Sequence, residues 1–227
     1  MIQTMQKFNL GACMISLIGL LAGWSAVNAQ DQTVNVGSTY NYSTAVSITG
    51  STFTWNVTGG TNGTHFSYTP SNTSTQAIQW LQTGTYTIQV TEVSPQGCVN
   101  PSAPQTFQVQ VAPVPTIQFA TTSSAACSGA PNTNLTLNLA FTGTVVYPVV
   151  VNYTIDGTPY TRTINSGTTI SLGSEANILE NLTATDVTRV IVITSATSHG
   201  ANYTIGTNST YNYTVYATPQ LNPITHN

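Results

Sequence analysis

Apolar and polar residues alternate with a period of two through most of this chain. Thr52–Thr58 places Phe53, Trp55 and Val57 on one side and Thr or Asn on the other. Thr85–Val93 alternates Tyr86, Ile88 and Val90 with Thr87, Gln89 and Thr91, and Gln105–Val111 alternates Phe107, Val109 and Val111 with polar residues. Thr39–Ser43 holds Tyr40 and Tyr42 in phase, and Thr75–Gln82 does the same for Ile78 and Trp80. Side chains on a strand point alternately to opposite faces, so each run predicts a strand with one buried face. Further strands are predicted over Thr116–Ala120, Asn134–Thr142, Val146–Ile155, Tyr160–Ile164, Thr168–Leu172, Thr188–Ala196, Asn202–Ile205 and Thr210–Ala217.

Breakers fall between the runs. Thr58-Gly59-Gly60-Thr61-Asn62-Gly63 and Gln82-Thr83-Gly84 read as turns. Asp156-Gly157 between two strand runs predicts a two-residue hairpin, because a type I′ turn needs positive φ at both positions. Helical patterning is confined to Ser174–Glu180, one or two turns at most. Many short strands with regular turns predict an all-β sandwich architecture.

Composition changes what such strands can do. Charged residues make up 4% of the 227 residues, against roughly 25% in an average soluble domain. Thr, Ser, Asn and Gln supply solubility instead. The net charge is −3, and Lys7, Arg162 and Arg189 are the only basic side chains besides histidine. Phosphate backbones are held by Lys and Arg, so nucleic acid is excluded as a partner and an anionic membrane surface is disfavoured.

The N-terminus has the layout of a secretory signal. Lys7 precedes an apolar run from Leu10 to Trp24, and Ser25-Ala26-Val27-Asn28-Ala29 closes it with small residues. Residues 1–29 are therefore expected to be a signal peptide, with cleavage between Ala29 and Gln30, leaving a chain that does not span a membrane. Leu10-Gly11-Ala12-Cys13 looks like a lipoprotein box, but the apolar stretch follows Cys13 rather than preceding it, so Cys13 is read as part of the leader.

About 200 residues remain. Val111-Ala112-Pro113-Val114-Pro115 marks a stiff linker. Phe107–Pro113 is echoed by Tyr213–Pro219, each an alternating strand that runs into Ala and then Pro, as if ending two successive repeats. The expected organisation is one sandwich over 30–113, a second over 114–219 and a tail over 220–227.

Several segments resemble a known family. Tyr40-Asn41-Tyr42, Phe53-Thr54-Trp55-Asn56-Val57-Thr58-Gly59-Gly60, Gly84-Thr85-Tyr86-Thr87-Ile88 and Gly97-Cys98 are similar to the PKD-like domains of secreted proteins from Bacteroidota. The aspartate usual in their glycine turn is missing. Cys127-Ser128-Gly129, Leu135-Thr136-Leu137, Phe141-Thr142-Gly143-Thr144 and Val149–Ile155 with Asp156-Gly157 resemble the related Ig-like repeats of the same proteins. The later cysteine of such repeats would fall near Ser198-His199-Gly200. The resemblance implies two tandem Ig-like (PKD-like) β-sandwiches, in proteins that act as adhesins, surface filaments or gliding and secretion accessories.

Candidate chemistry is sparse. Cys98 and Cys127 follow the leader, and export permits oxidation. Cys98 precedes the last strand of the first half, and Cys127 follows the first strand of the second. In an extended tandem they lie at opposite ends, on the order of 50 Å apart by strand rise. A disulfide needs Cα atoms within about 7 Å. Intermolecular thiol bonding, or two unbridged buried thiols, therefore leads over an intrachain bond.

His65, His199 and His226 show no metal-ligand spacing and are read as surface residues. Glu175 and Glu180 form the nearest carboxylate pair but read as solvating or capping groups, while Asp186 and Arg189 are expected to tie down a corner. No Gly-x-Ser-x-Gly elbow is present. The sequons at Asn41, Asn56, Asn152 and Asn212 are not read as glycosylation sites. No catalytic residue, metal or cofactor is expected.

Trp55 and Trp80 share faces with core residues, whereas Tyr203, Tyr211, Tyr213 and Tyr216 are candidates for a sugar or partner platform, although core packing remains the leading reading for them. The expected function is non-enzymatic protein–protein contact at the cell surface or in the periplasm, with other proteins or copies of itself. The alternative is a polysaccharide-binding module.

Overall fold

A computed structural model describes residues 32–99, 104–128, 135–172, 178 and 180–219. The leader, its cleavage site at Ala29 and Gln30, the tail from Gln220 onward and nearly all of the helical candidate Ser174–Glu180 lie outside these residues. Everything regular among the described residues is β-structure.

The first sandwich is built from β1 (Gln32–Asn35), β2 (Thr39–Ser43), β3 (Thr52–Thr58), β4 (Phe66–Ser67), β5 (Thr75–Trp80), β6 (Gly84–Val93) and β7 (Gln105–Ala112). One sheet runs β1-β7-β6-β3 and the other β2-β5-β4. β3 shows the cause: Phe53, Trp55 and Val57 are buried and every residue between them is exposed. The inward faces of both sheets meet around Trp80, Phe66, Tyr86, Ile78 and Ile88.

The second sandwich contains β8 (Thr116–Phe119), β9 (Ser123–Cys127), β10 (Thr136–Thr142), β11 (Val149–Ile155), β12 (Thr158–Ile164), β13 (Thr169–Ser171), β14 (Val187–Ser198), β15 (Ala201–Asn202), β16 (Thr204–Ile205) and β17 (Thr210–Tyr216). One sheet runs β13-β10-β8-β16, and the other β12-β11-β14-β17-β9 with β15 also on β14. A separate core forms between them around Phe119, Leu137, Tyr153, Ile155 and Ile191. In the first sandwich the entering strand β1 pairs in parallel with the last strand β7; in the second, β9, the strand after β8, does the same with β17. Two antiparallel sheets closed by that parallel pair define the fold as two tandem Ig-like β-sandwiches.

The predicted hairpin forms as expected. Asp156 and Gly157 have φ of 48° and 85°, and Ile155 pairs with Thr158 across them. Gly157→Ala is expected to cost about 1–2 kcal/mol, the penalty of a Cβ at positive φ, read as a lower urea midpoint for the second sandwich.

Elsewhere the structure departs from the pattern. The run Asn202–Ile205 is two short strands in two different sheets, because the chain crosses between sheets at buried Tyr203. The run predicted from Val146 starts as a strand only at Val149. The Val146 peptide is engaged elsewhere: its N–H donates to the Tyr203 hydroxyl at 3.2 Å and its carbonyl accepts from that hydroxyl at 3.0 Å.

Candidate functional site

Two places gather polar groups into built arrangements. The first is the junction between the sandwiches. Asn35, at the end of β1, is 1% exposed. Its amide donates both protons, to the carbonyls of Pro113 in the linker and Thr144 in the second sandwich, each at 3.0 Å. Its Oδ1 lies 3.5 Å from the Tyr203 hydroxyl, whose single proton has its shorter contact at Val146.

The turn after Asn35 closes through Gly37 at φ 88°, which only glycine adopts without strain, and through the Ser38 hydroxyl on the Asn35 carbonyl at 2.6 Å. Thr39 then donates its amide to the His199 carbonyl at 2.9 Å, and the Tyr40 ring stacks on the His199 imidazole at 4.4 Å. Burial, and secondarily the neighbouring Tyr203, pushes the Tyr40 hydroxyl up to about 12, so that hydroxyl stays protonated at ordinary pH. The linker is held from the other side as well, the Pro115 carbonyl accepting from Thr204 at 3.1 Å.

The second arrangement is the opposite end of the first sandwich. Glu92 on β6 reaches across to the loop after β2. It accepts from the Ser47 amide at 3.0 Å, the Ile48 amide at 3.1 Å and the Ser47 hydroxyl at 2.6 Å. The Ser47 hydroxyl bond outweighs partial desolvation, the two amides add to it, and together they hold the carboxyl below the usual glutamate range.

A lowered folded pKa means this clamp stabilises the loop above the unfolded pKa and is lost as pH falls through the folded one. Glu92→Gln is accordingly expected to lower the thermal midpoint at neutral pH. The difference from the unaltered protein should shrink as the pH falls below the ordinary glutamate range, measured by calorimetry across pH. A cleft of about 430 Å³ lies beside the clamp, lined by Ile48, Phe53, Val90, Cys98 and Val99 among others. A second cleft of about 340 Å³ adjoins it, sharing Thr44, Val90 and Gln105.

The sequence-derived candidates fall as follows. Cys98 and Cys127 are not bonded to each other, and both are exposed rather than buried. Cys98 sits in the turn that follows β6, closed by the Ser94 amide on the Cys98 carbonyl, and Cys127 stands opposite Tyr216 on β17. The tyrosine platform is corrected. Tyr203, Tyr211 and Tyr213 are 5%, 5% and 4% exposed and belong to the second core, leaving Tyr216 as the exposed member at 46%. The phase of β17 explains this, since Tyr211, Tyr213 and Val215 share the inward face and Tyr216 falls on the other.

Asp186 and Arg189 do secure a corner, but not with each other. Asp186 accepts the Ala217 amide at 3.0 Å, while Arg189 pairs with Asp156 at 3.1 Å. Asp156 also accepts the Val190 amide at 2.8 Å. His65 accepts the Thr61 amide at 3.1 Å within its own turn. Glu180 is exposed, while Glu175 and His226 lie outside the described residues. Among the described residues, no group of three or more His, Cys, Asp or Glu side chains converges, and no helix is long and apolar enough to cross a membrane.

Fold and site together define the class: a tandem Ig-like β-sandwich protein with a hydrogen-bonded junction and an open cleft at the far end of the first sandwich. No protein-family model matches the sequence, and no curated protein matches it. Solved structures with a similar chain path include the fibronectin(III)-like modules of Clostridium thermocellum CbhA. They are 14% identical with a TM-score of 0.39, covering 88% of this chain and 97% of that one. A chimeric titin Z1Z2 carrying an exogenous decorin peptide is 16% identical with a TM-score of 0.37, covering 84% and 94%. Titin z1z2 in complex with telethonin is 18% identical with a TM-score of 0.28, covering 83% and 94%.

Proposed function

We propose that this is an exported, non-enzymatic protein that works by protein–protein contact at the cell surface or in the periplasm, as an adhesin, filament subunit or envelope accessory. One observation carries the reading. Among the described residues, four of the six charged side chains hold the scaffold: Glu92 clamps a loop, Asp186 caps a strand end, and Asp156 and Arg189 brace a hairpin. The outward strand faces are mostly uncharged, Arg162 on β12 being an exposed exception.

The leader and the resemblance to PKD-like domains of Bacteroidota support the setting. They also support a division into sandwiches over 30–113 and 114–219. The polysaccharide reading has less behind it, because three of its four tyrosines are core residues.

Protease shaving of intact cells tests the reading. Loss of the protein from shaved cells, or its release with the periplasmic fraction, is expected; a protease-protected cytoplasmic protein would overturn it. Thiol labelling in the same fractions should modify both exposed cysteines unless a second chain is bonded to them.

A further inference from the structure

The two sandwiches differ at one edge. In the second, β8 pairs with the outer edge of β10 and sends Ile117 and Phe119 into the core, both 0% exposed. Beneath that cover, Leu137 and Leu139 of β10 are 1% and 3% exposed. In the first sandwich the counterpart of β10 is β2, which pairs with β5 on one side and with no strand on the other among the described residues. Its inward residues, Tyr40 and Tyr42, remain half-buried.

Next to β2 the 340 Å³ cleft opens between the sheets, floored by Tyr42, Trp55, Ile88, Val90 and Phe107. On the cleft's far side, among the described residues, β1 covers β7 from Val109 onward. Where the second sandwich has a strand with two inward apolar side chains, the first has an opening.

The backbone of β2 is set to receive one. Thr44 donates its amide to Ser74, next to β5, whereas Thr39 donates away from β5, to His199. In an antiparallel ladder this alternation turns the N–H and C=O of Asn41 and Ser43 outward, toward the opening. Such an edge is a template for strand addition, in which main-chain bonds give affinity and pockets for alternate side chains give selectivity.

We propose that this edge and cleft bind an extended, uncharged segment of a partner protein, added as a strand beside β2 with two apolar side chains, two residues apart, entering the cleft. The chemistry of the occupant follows from the lining. Asn41, Ser43, Thr44, Gln105 and Thr106 form a rim without a charged group, so a charged side chain entering there would be desolvated without compensation. β8, with Ile117 and Phe119, shows the pattern that fits this architecture. That the segment comes from another chain rests on the proposed export. With the leader removed after Ala29, two residues would precede Gln32, fewer than the four of β8.

The test uses the full chain produced with its leader and purified from the exported fraction, its N-terminus checked by intact mass. The probe is a blocked peptide of the protein's own 115–121 sequence, Pro-Thr-Ile-Gln-Phe-Ala-Thr, with a control carrying Ser for Ile and Phe. Saturable binding of the first is expected, with slowed amide exchange at Asn41 and Ser43, and at least tenfold weaker binding of the control.

Asn41→Pro removes an outward donor without touching the β5 ladder, since proline is accepted on an edge strand whose N–H faces away. It should keep the thermal midpoint and lose the peptide at least tenfold. No binding to the unaltered protein, or equal binding of the serine control, overturns the proposal. Concentration-dependent dimers that vanish in Asn41→Pro, without peptide binding, would assign the edge to a second copy and overturn it too. A mass showing an N-terminus other than Gln30 or a non-exported protein would overturn the export reading instead, and that result is read separately from binding.

Discussion

Trp80→Ala is expected to unfold the first sandwich at 25 °C or leave it barely stable, while the second keeps its structure. Trp80 is 0% exposed, at the meeting point of both sheets. Its ring lies 5.2 Å from Tyr86, 6.1 Å from Phe66 and 6.2 Å from Tyr42, and its indole N–H donates to the Tyr42 hydroxyl at 3.1 Å. Truncating a buried tryptophan costs about 3–5 kcal/mol through lost transfer energy and the cavity left behind. That is a large part of the 5–15 kcal/mol that roughly bounds a domain's stability. Urea unfolding followed by the remaining tryptophan fluorescence and by circular dichroism should split into two transitions, the earlier one belonging to the first sandwich. A single unshifted transition would show that this aromatic cluster does not carry the first core.

The second large effect is at the junction. Asn35→Ala takes the side-chain donor away from the Pro113 and Thr144 carbonyls, and so removes a side chain that bridges β1, the linker and the second sandwich together. Pro113 and Thr144 are exposed, so water can take the place of the amide, and the net loss is that of two ordinary hydrogen bonds, about 1–3 kcal/mol of coupling. The readout is more specific than stability alone. Small-angle scattering should change from one defined inter-sandwich arrangement to a distribution, with each sandwich's amide spectrum otherwise preserved. A variant with an unchanged scattering profile would mean that the Thr39–His199 bond and the Tyr40 stack hold the pair without Asn35.

The strands with strict alternation were legible. β3 and β11 repeat in structure the two-residue rhythm of Thr52–Thr58 and Val149–Ile155, because a half-buried or buried sheet face imposes that rhythm directly. β9 was not legible. Ser-Ser-Ala-Ala-Cys has no β-branched residue, and it is a strand because β17 offers a free edge for it to pair with. β4 is two residues long and exists through its pairing with β5.

The junction was hidden for a similar reason. Asn35 is one polar residue in Val34-Asn35-Val36, and its role depends on carbonyls 78 and 109 positions away. The burial of Tyr211 and Tyr213 could have been read from their shared phase with Val215. That of Tyr203 could not, since it arises where the chain crosses between sheets.

The parallel pairing of an early strand with the last one in each sandwich has a mechanical consequence. β1 and β7 run side by side in the same direction over four residue pairs, and β9 and β17 over five. A pull applied to the two ends of either sandwich would draw those strands past each other along their length. Their hydrogen bonds would then be loaded together rather than opened one at a time from an end. A tandem of such units would resist stretching through this shared loading rather than through the depth of its cores.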